Sequence, residues 1–355
     1  MSNDVLQVNV AELINRVLEY NLTKDNSCIL FGLGVNDPKG VFGTTLGLKD
    51  KFGLDRVFET PTAENAMTGM GIGLSLNGYK PIMVHQRLDF FLLAMDQLVN
   101  SAAKWNFMFG SSKNVPITIR LILGHGWGQG PTHSQNLHAW FAHVPGLKVV
   151  MPAFATDVPG LLNSSIADPN PVIFIEDRWL HGQLSKSDEV KVTIPLGIAN
   201  RVSSGEDVTI VSSGYASVLS LQATNYLKKI GVGVDLIDLR SIKPLDENLI
   251  FDSVKKTGKV LVVDSGPFFA SFGSHVISRI VEECFENLIV APKLIANPDV
   301  PEPTSYGVIG EFKINAIKIA TGALKMLGKS LPIDLSNSLA PKYVDASDEN
   351  FIGPF

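Results

Sequence analysis

The sequence predicts an α/β protein of two domains, each built around a mostly parallel sheet. Three observations carry this. Short, near-continuous apolar runs alternate with segments of helical period, as strands buried on both faces and their crossover helices would. A polar, turn-rich stretch, "DRWLHGQLSKSDEVKVTIPLGIANRVSSGED" at 177–207, interrupts the alternation, which then resumes. At 355 residues and 45% hydrophobic, the chain exceeds one ordinary core and suits two.

In the first half, strands are predicted at 27–32, 80–85, 116–123, 147–152 and 171–177. Helices are predicted at 10–24, 63–78, 90–105 and 156–168, with a further one in "SQNLHAWFAHV". The interruption reads as a linker with a surface hairpin. In the second half, strands fall at 208–214, 233–240, 260–265 and 288–296, and helices at 216–231, 273–284 and 314–328. The boundaries are therefore 1–186 for the first domain, 187–207 for the linker and 208–330 for the second. The tail, 331–355, has prolines and little period, and should lie extended on another surface or be partly mobile.

The formal net charge of −5 argues against a nucleic-acid partner. Only 18% of residues are charged, against roughly 25% in an ordinary soluble chain, which suggests surface covered by partner chains. Cys28 and Cys284 lie in apolar stretches with no CxxC pair, so packed thiols in a reducing, cytoplasmic setting are expected. The start lacks a basic region followed by an apolar core, and no apolar run reaches membrane length.

Three stretches carry chemistry. In "ETPTAENAMTGMGIGLSLNGYKP", Thr62 is the expected N-cap, which puts Glu64 in a first helical turn. Gly69, Gly71 and Gly73 cost roughly 1 kcal/mol each inside that helix, so another backbone is expected to pack close. In "LILGHGWGQGPTHSQ", glycines alternate after a strand and run into Pro131, which does not match a dinucleotide fingerprint. A loop at a strand's carboxyl end fits better. His133, His138 and His143 follow at intervals of five. That spacing turns each about 140° from the last on a helix, so one helix cannot bring them to one metal ion. His133, in the loop, is the better catalytic candidate; His138 and His143 are expected to pack and hold that loop.

"RVFETPTAEN", "AMDQLVNSAAKW", "GPTHSQNLHAWFAHVPGLKVVMPA" and "SSIADPNPVIFIEDR" resemble the beta subunit of the first component of 2-oxo-acid dehydrogenase complexes. The resemblance runs from about residue 5 to 328 and is looser in the second domain. It implies a transketolase-like fold, with a pyrimidine-binding domain and a smaller transketolase C-terminal-like domain. It implies thiamine diphosphate as cofactor and decarboxylation of a 2-oxo acid with acyl transfer to lipoyl. Glu64 would hydrogen-bond a pyrimidine nitrogen and drive the ring to its imino tautomer, which makes the ylid. Phe90 would stack on the pyrimidine, with Gln86 on the same side. His133 would bind substrate and assist acyl transfer. Ile117, Ser165, Ile166, Asp168 and Asn170 match positions that hold potassium in some members, mostly through main-chain carbonyls.

The family group binds diphosphate through Mg2+ at a GDG motif, and no GDG occurs in this sequence. The resemblance therefore implies an alpha subunit that supplies the other half, in an α2β2 assembly, with a lipoyl acyltransferase core as a further partner. The chain departs from the family at Leu33 and Gly34, where an acidic pair is usual, and at His85, Gln86 and Arg87. Arg87 could read a substrate carboxylate or phosphate, or pair with the alpha subunit, the reading preferred. Two alternatives stay open: the C-terminal half of a split transketolase or another non-oxidative synthase acting on sugars, and a non-catalytic scaffolding paralogue.

Overall fold

The computed structural model describes residues 7–126, 128–185 and 187–346; residues 347–355 of the predicted tail lie outside the described residues. The strands are β1 (Val8–Asn9), β2 (Cys28–Gly32), β3 (Val57–Glu59), β4 (Lys80–His85), β5 (Thr118–Leu123), β6 (Lys148–Val150), β7 (Val172–Asp177), β8 (Leu184–Ser185), β9 (Asn200–Ser203), β10 (Val208–Ser212), β11 (Val234–Asp238), β12 (Ser241–Lys243), β13 (Val260–Pro267) and β14 (Lys293–Asn297). The helices are α1 (Val10–Lys24), α2 (Leu48–Phe52), α3 (Glu64–Leu76), α4 (Leu88–Phe91), α5 (Trp105–Met108), α6 (His138–His143), α7 (Val158–Ala167), α8 (Tyr215–Lys229), α9 (Glu247–Thr257), α10 (Phe272–Cys284), α11 (Tyr306–Phe312), α12 (Ala316–Met326) and α13 (Leu335–Leu339).

The larger sheet runs β12-β6-β7-β5-β4-β2-β3 and the smaller β14-β13-β10-β11-β9. The described strands of each run parallel except one edge strand, β12 against β6 and β9 against β11. The central strands of the larger sheet are buried along their whole length, as sheets covered by helices on both faces require. The architecture is the two-part α/β fold that the alternation predicts.

Several local expectations change. The segment 90–105 is not one helix. It breaks into α4, a tight turn at Leu92–Ala94, a wide π-type turn at Gln97–Ala102, and α5. The buried side is still Phe91, Ala94, Leu98 and Ala102. Apolar period reports which face is covered, not which backbone bond closes each turn. Strand β9 lies inside the stretch read as a linker. Helix α9, capped by the Asp246 side chain on the Leu249 N–H at 3.2 Å, was not legible as a periodic segment. In the tail, α13 packs on α8 and α12, so this part lies on its own chain.

The two sheets are stapled together. Strand β12 follows β11 in sequence yet completes the edge of the larger sheet, Ser241 opposite Val150 and Lys243 opposite Val149. One apolar cluster runs from Phe31 and Ile119 through Met151 to Val211, Ile237 and Ile280. Arg240 grips Asp157 with two hydrogen bonds of 2.9 and 2.6 Å across the junction. Among the described residues, no helix is long and apolar enough to cross a membrane.

Candidate active site

The parallel strands β2, β3, β4 and β5 deliver their following loops to one edge of the larger sheet. That carboxyl edge is where ligands bind in open α/β sheets. Gly34 and Asp37 follow β2, Glu64 follows β3, Gln86, Arg87 and Phe90 follow β4, and His133 follows β5. The candidates from separate motifs therefore meet through topology.

Glu64 opens α3 and is 5% exposed, close to where the helix N–H groups favour a carboxylate. The expected cap is not formed. Ala63 is the N-cap, without a side-chain hydrogen bond, and Thr62 is exposed. Within this chain the glycines differ in what they face. A Cβ at Gly71 would lie 2.7 Å from the Ile117 Cδ1 and 3.2 Å from the Phe31 ring, so side chains of the sheet crowd it, not another backbone. Gly73 has nothing within 4 Å.

The two ends of the 124–133 stretch lie close together. A Cβ at Gly124 would stand 2.3 Å from the His133 carbonyl oxygen, which requires glycine there. His133 Nδ1 lies 2.9 Å from the Thr132 hydroxyl, and its ring meets the Phe90 ring edge-on at 5.3 Å. Phe90 is 40% exposed, so a broad aromatic surface remains open beside the imidazole. Behind them, Asp89 accepts both the backbone N–H and the side-chain amide of Gln135, at 3.1 and 2.9 Å, pinning the segment after His133 to α4.

Arg87 is 4% exposed and works within its own chain. Its Nε donates to the Gln129 Oε1 at 3.0 Å and its Nη1 to the Gln86 carbonyl at 2.7 Å, while its guanidinium lies 5.4 Å from the Phe42 ring centre. It braces the glycine loop. Within this chain the group is buried against neighbours of its own fold. Arg178 approaches the same Phe42 ring at 4.6 Å, and burial together with Arg87 brings it down to about 10. Gln86 donates to the Asp37 carboxylate at 3.3 Å.

A carboxylate from β3 caps the segment at 33–36. Glu59, at the end of β3, accepts the N–H of Gly34 at 2.6 Å and of Asn36 at 3.1 Å. Sequence reading missed this carboxylate because its targets are separated from it by a strand crossover. It also missed Asp89 and Gln129; the one signal for them was adjacency to Arg87 and His133.

His138 and His143 part company. His138 is 1% exposed, with Nδ1 2.7 Å from the Asn136 Oδ1 and Nε2 in ion-pair contact with the Asp264 carboxylate at 3.0 Å, without hydrogen-bond alignment. Burial pushes Asp264 up, but the His138 ring and the N–H groups of Gly266 and Gly273 hold it below its ordinary value. His138 thus ties the first sheet's helix α6 to β13. His143 is exposed at the end of α6 and has no hydrogen-bond partner among the described residues, so the expectation that it packs is corrected.

The five positions matched to potassium sit at the opposite, amino edge of the sheet. The Ser165 carbonyl accepts the Thr118 hydroxyl at 3.0 Å, and the Ile117 carbonyl accepts the Val172 N–H at 3.0 Å. Asp168 accepts the Asn170 N–H at 2.9 Å and pairs with the Lys148 ammonium; Ile166 is buried on α7. These residues come together, but away from Glu64 and His133.

Residues 7–182 match the family "Transketolase, pyrimidine binding domain" and residues 197–319 match "Transketolase, C-terminal domain". The chain is 38% identical over 301 residues to "Pyruvate dehydrogenase E1 component subunit beta-1, mitochondrial" of Oryza sativa subsp. japonica, covering 84% of this chain and 80% of that one. It is 36% identical to the "Pyruvate dehydrogenase E1 component subunit beta" of Rickettsia felis, covering 89% and 94%. The mitochondrial beta subunit of Pisum sativum is 36% identical, with 92% of each chain covered. A solved "Split gene transketolase, inactive beta4 tetramer" shares the fold, with a TM-score of 0.74 and 20% identity over 90% of this chain and 98% of that one. Across nearly its whole length, then, the chain belongs to the family of pyruvate dehydrogenase E1 component beta subunits, built from transketolase-like pyrimidine-binding and C-terminal domains.

Proposed function

We propose that this chain is the beta subunit of a thiamine-diphosphate-dependent 2-oxo-acid dehydrogenase, active only with an alpha subunit in an α2β2 assembly and passing its acyl group to lipoyl. The observation that carries this is the buried Glu64 at the head of α3, on the same sheet edge as His133 and the open face of Phe90. A cofactor pyrimidine needs a sequestered carboxyl group for a ring nitrogen and an aromatic surface to lie on, and both are present.

Glu64 would hold and return a proton at that ring nitrogen, which suits a carboxyl group shielded from water. Phe90 would orient the ring, with Gln86 beside it. His133 would donate a hydrogen bond to the substrate's carbonyl or carboxylate and meet the negative charge that develops there. The cofactor, when bound, supplies the electron sink for loss of carbon dioxide. Its diphosphate and Mg2+ are assigned to the alpha partner, because the 355 residues contain no GDG motif. Potassium at the amino edge would draw on the carbonyls of Ile117 and Ser165. Exposed Leu93, Phe107, Trp140 and Phe269 suit burial against other subunits. A cytoplasmic setting is proposed from the two free, buried cysteines.

The test is turnover by the co-purified subunits on a panel of 2-oxo acids and ketose phosphates. Glu64→Gln should lower kcat at least about a hundredfold, the scale of a lost general acid–base group. Near-normal turnover in that variant defeats the reading, and turnover of ketose phosphates alone would move it to the sugar branch.

A further inference from the structure

The glycine loop that carries His133 is clamped from its far side by the second domain and the tail. Asp345 is 8% exposed and reaches this loop from 217 positions away in sequence. Its Oδ2 accepts the Gly128 N–H at 2.8 Å, and its Oδ1 pairs with the Lys313 ammonium. Lys313 in turn lies 3.6 Å from the Glu302 carboxylate and 4.4 Å from the Trp179 ring centre. The Trp179 ring packs on His125, inside the loop, at 5.2 Å, and His125 contacts Asp177 at 3.2 Å. Thr304 closes the other side: a Cβ at Gly130 would stand 2.3 Å from its methyl group, and one at Gly128 3.1 Å from its carbonyl.

We propose that Asp345 is a positioning residue for the active-site loop: through Gly128 and Lys313 it fixes loop 124–133, and so the orientation of His133. The proposal rests on His133 acting at the site described above. Physically, a backbone rich in positive-φ glycines has many conformations open to it, and one charge-assisted hydrogen bond to its midpoint removes most of them. The bond is drawn from the tail, so docking of the second domain and tail adds to the order that Arg87 gives the loop.

The experiment uses the full chain co-purified with its alpha partner and compares Asp345→Ala, Asp345→Asn and His133→Ala with the parent. Hydrogen–deuterium exchange across 124–136 reads the loop directly. Asp345→Ala should speed exchange there about tenfold, the loss of one charge-assisted hydrogen bond, with peptides of β2 and β4 unchanged. It should lower kcat/KM on the preferred 2-oxo acid by a similar factor while leaving cofactor affinity within about twofold. Asp345→Asn keeps an acceptor for Gly128 but not the pairing with Lys313, and should fall between the two. Unchanged exchange in Asp345→Ala overturns the clamp. Faster exchange with unaltered kcat/KM overturns the positioning role. If His133→Ala keeps full turnover, the catalytic reading of His133 has failed instead, and exchange alone judges the clamp.

Discussion

At the residue scale, buried acids in this fold are treated in opposite ways. Asp264 is held below its ordinary range by His138 and two backbone N–H groups. Asp238, at the end of β11, is fully buried and accepts the Ser217 hydroxyl at 2.7 Å, and burial, with Asp157 nearby, pushes it up to about 7 from an ordinary 3.8. Its folded value lies above its unfolded one, so the folded state binds the extra proton between them. The associated stability is full below about pH 4 and is lost as pH rises through 7. Asp238→Asn should therefore raise the Tm at pH 8 by about 2 °C or more and change it much less at pH 4. Calorimetry at the two pH values decides it; an equal shift at both would mean the carboxyl group is ionised throughout. Residues with a strong local signature, such as Glu64 and His133, were legible in the sequence. Glu59, Gln129 and Asp345 were not, because each owes its role to a partner distant in the chain.

At the element scale, α3 shows how little a glycine pattern says by itself. Gly71 faces Ile117 and Phe31, whereas Gly73 faces open space in this chain. Gly71→Ala should cost about 1–3 kcal/mol by overpacking. Gly73→Ala should instead stabilise the purified chain by up to about 1 kcal/mol, the gain in helix propensity. Urea unfolding of both variants checks the pair, and equal effects would contradict the packing described. Helix α1 and strand β4 match their predicted bounds because the apolar period is strong and both ends are marked. Strands β3 and β12 span too few residues to show any period, and only their pairing partners define them.

At the scale of the whole molecule, the two halves fold around a shared interior. The pairing of β12 with β6, the Arg240–Asp157 grip and the His138–Asp264 contact all cross the junction. Removing His138 leaves the buried Asp264 carboxylate without this neighbour across the junction. His138→Ala should cost about 3 kcal/mol and lower the urea midpoint, the two domains still unfolding together through β12 and the shared apolar cluster. Fluorescence and circular dichroism transitions that stay at the parent midpoint would refute this. The site sits close to that junction, since the loop bearing His133 continues through Asn136 to Ser265, a hydrogen bond of 2.6 Å.

Taken alone, the order of residues determined the alternation of strands and helices, the two-sheet class, and the motifs that put Glu64 in a first helical turn and His133 in a loop after a strand. Those are local properties, carried by apolar period, glycine and a few neighbouring side chains. The tertiary structure decided which strand edge gathers them, that Arg87 braces the glycine loop, that β12 crosses to the other sheet, and that Asp345 returns to hold Gly128. Each of these depends on contacts between groups far apart in the chain, whose free energy exists only once the core has closed.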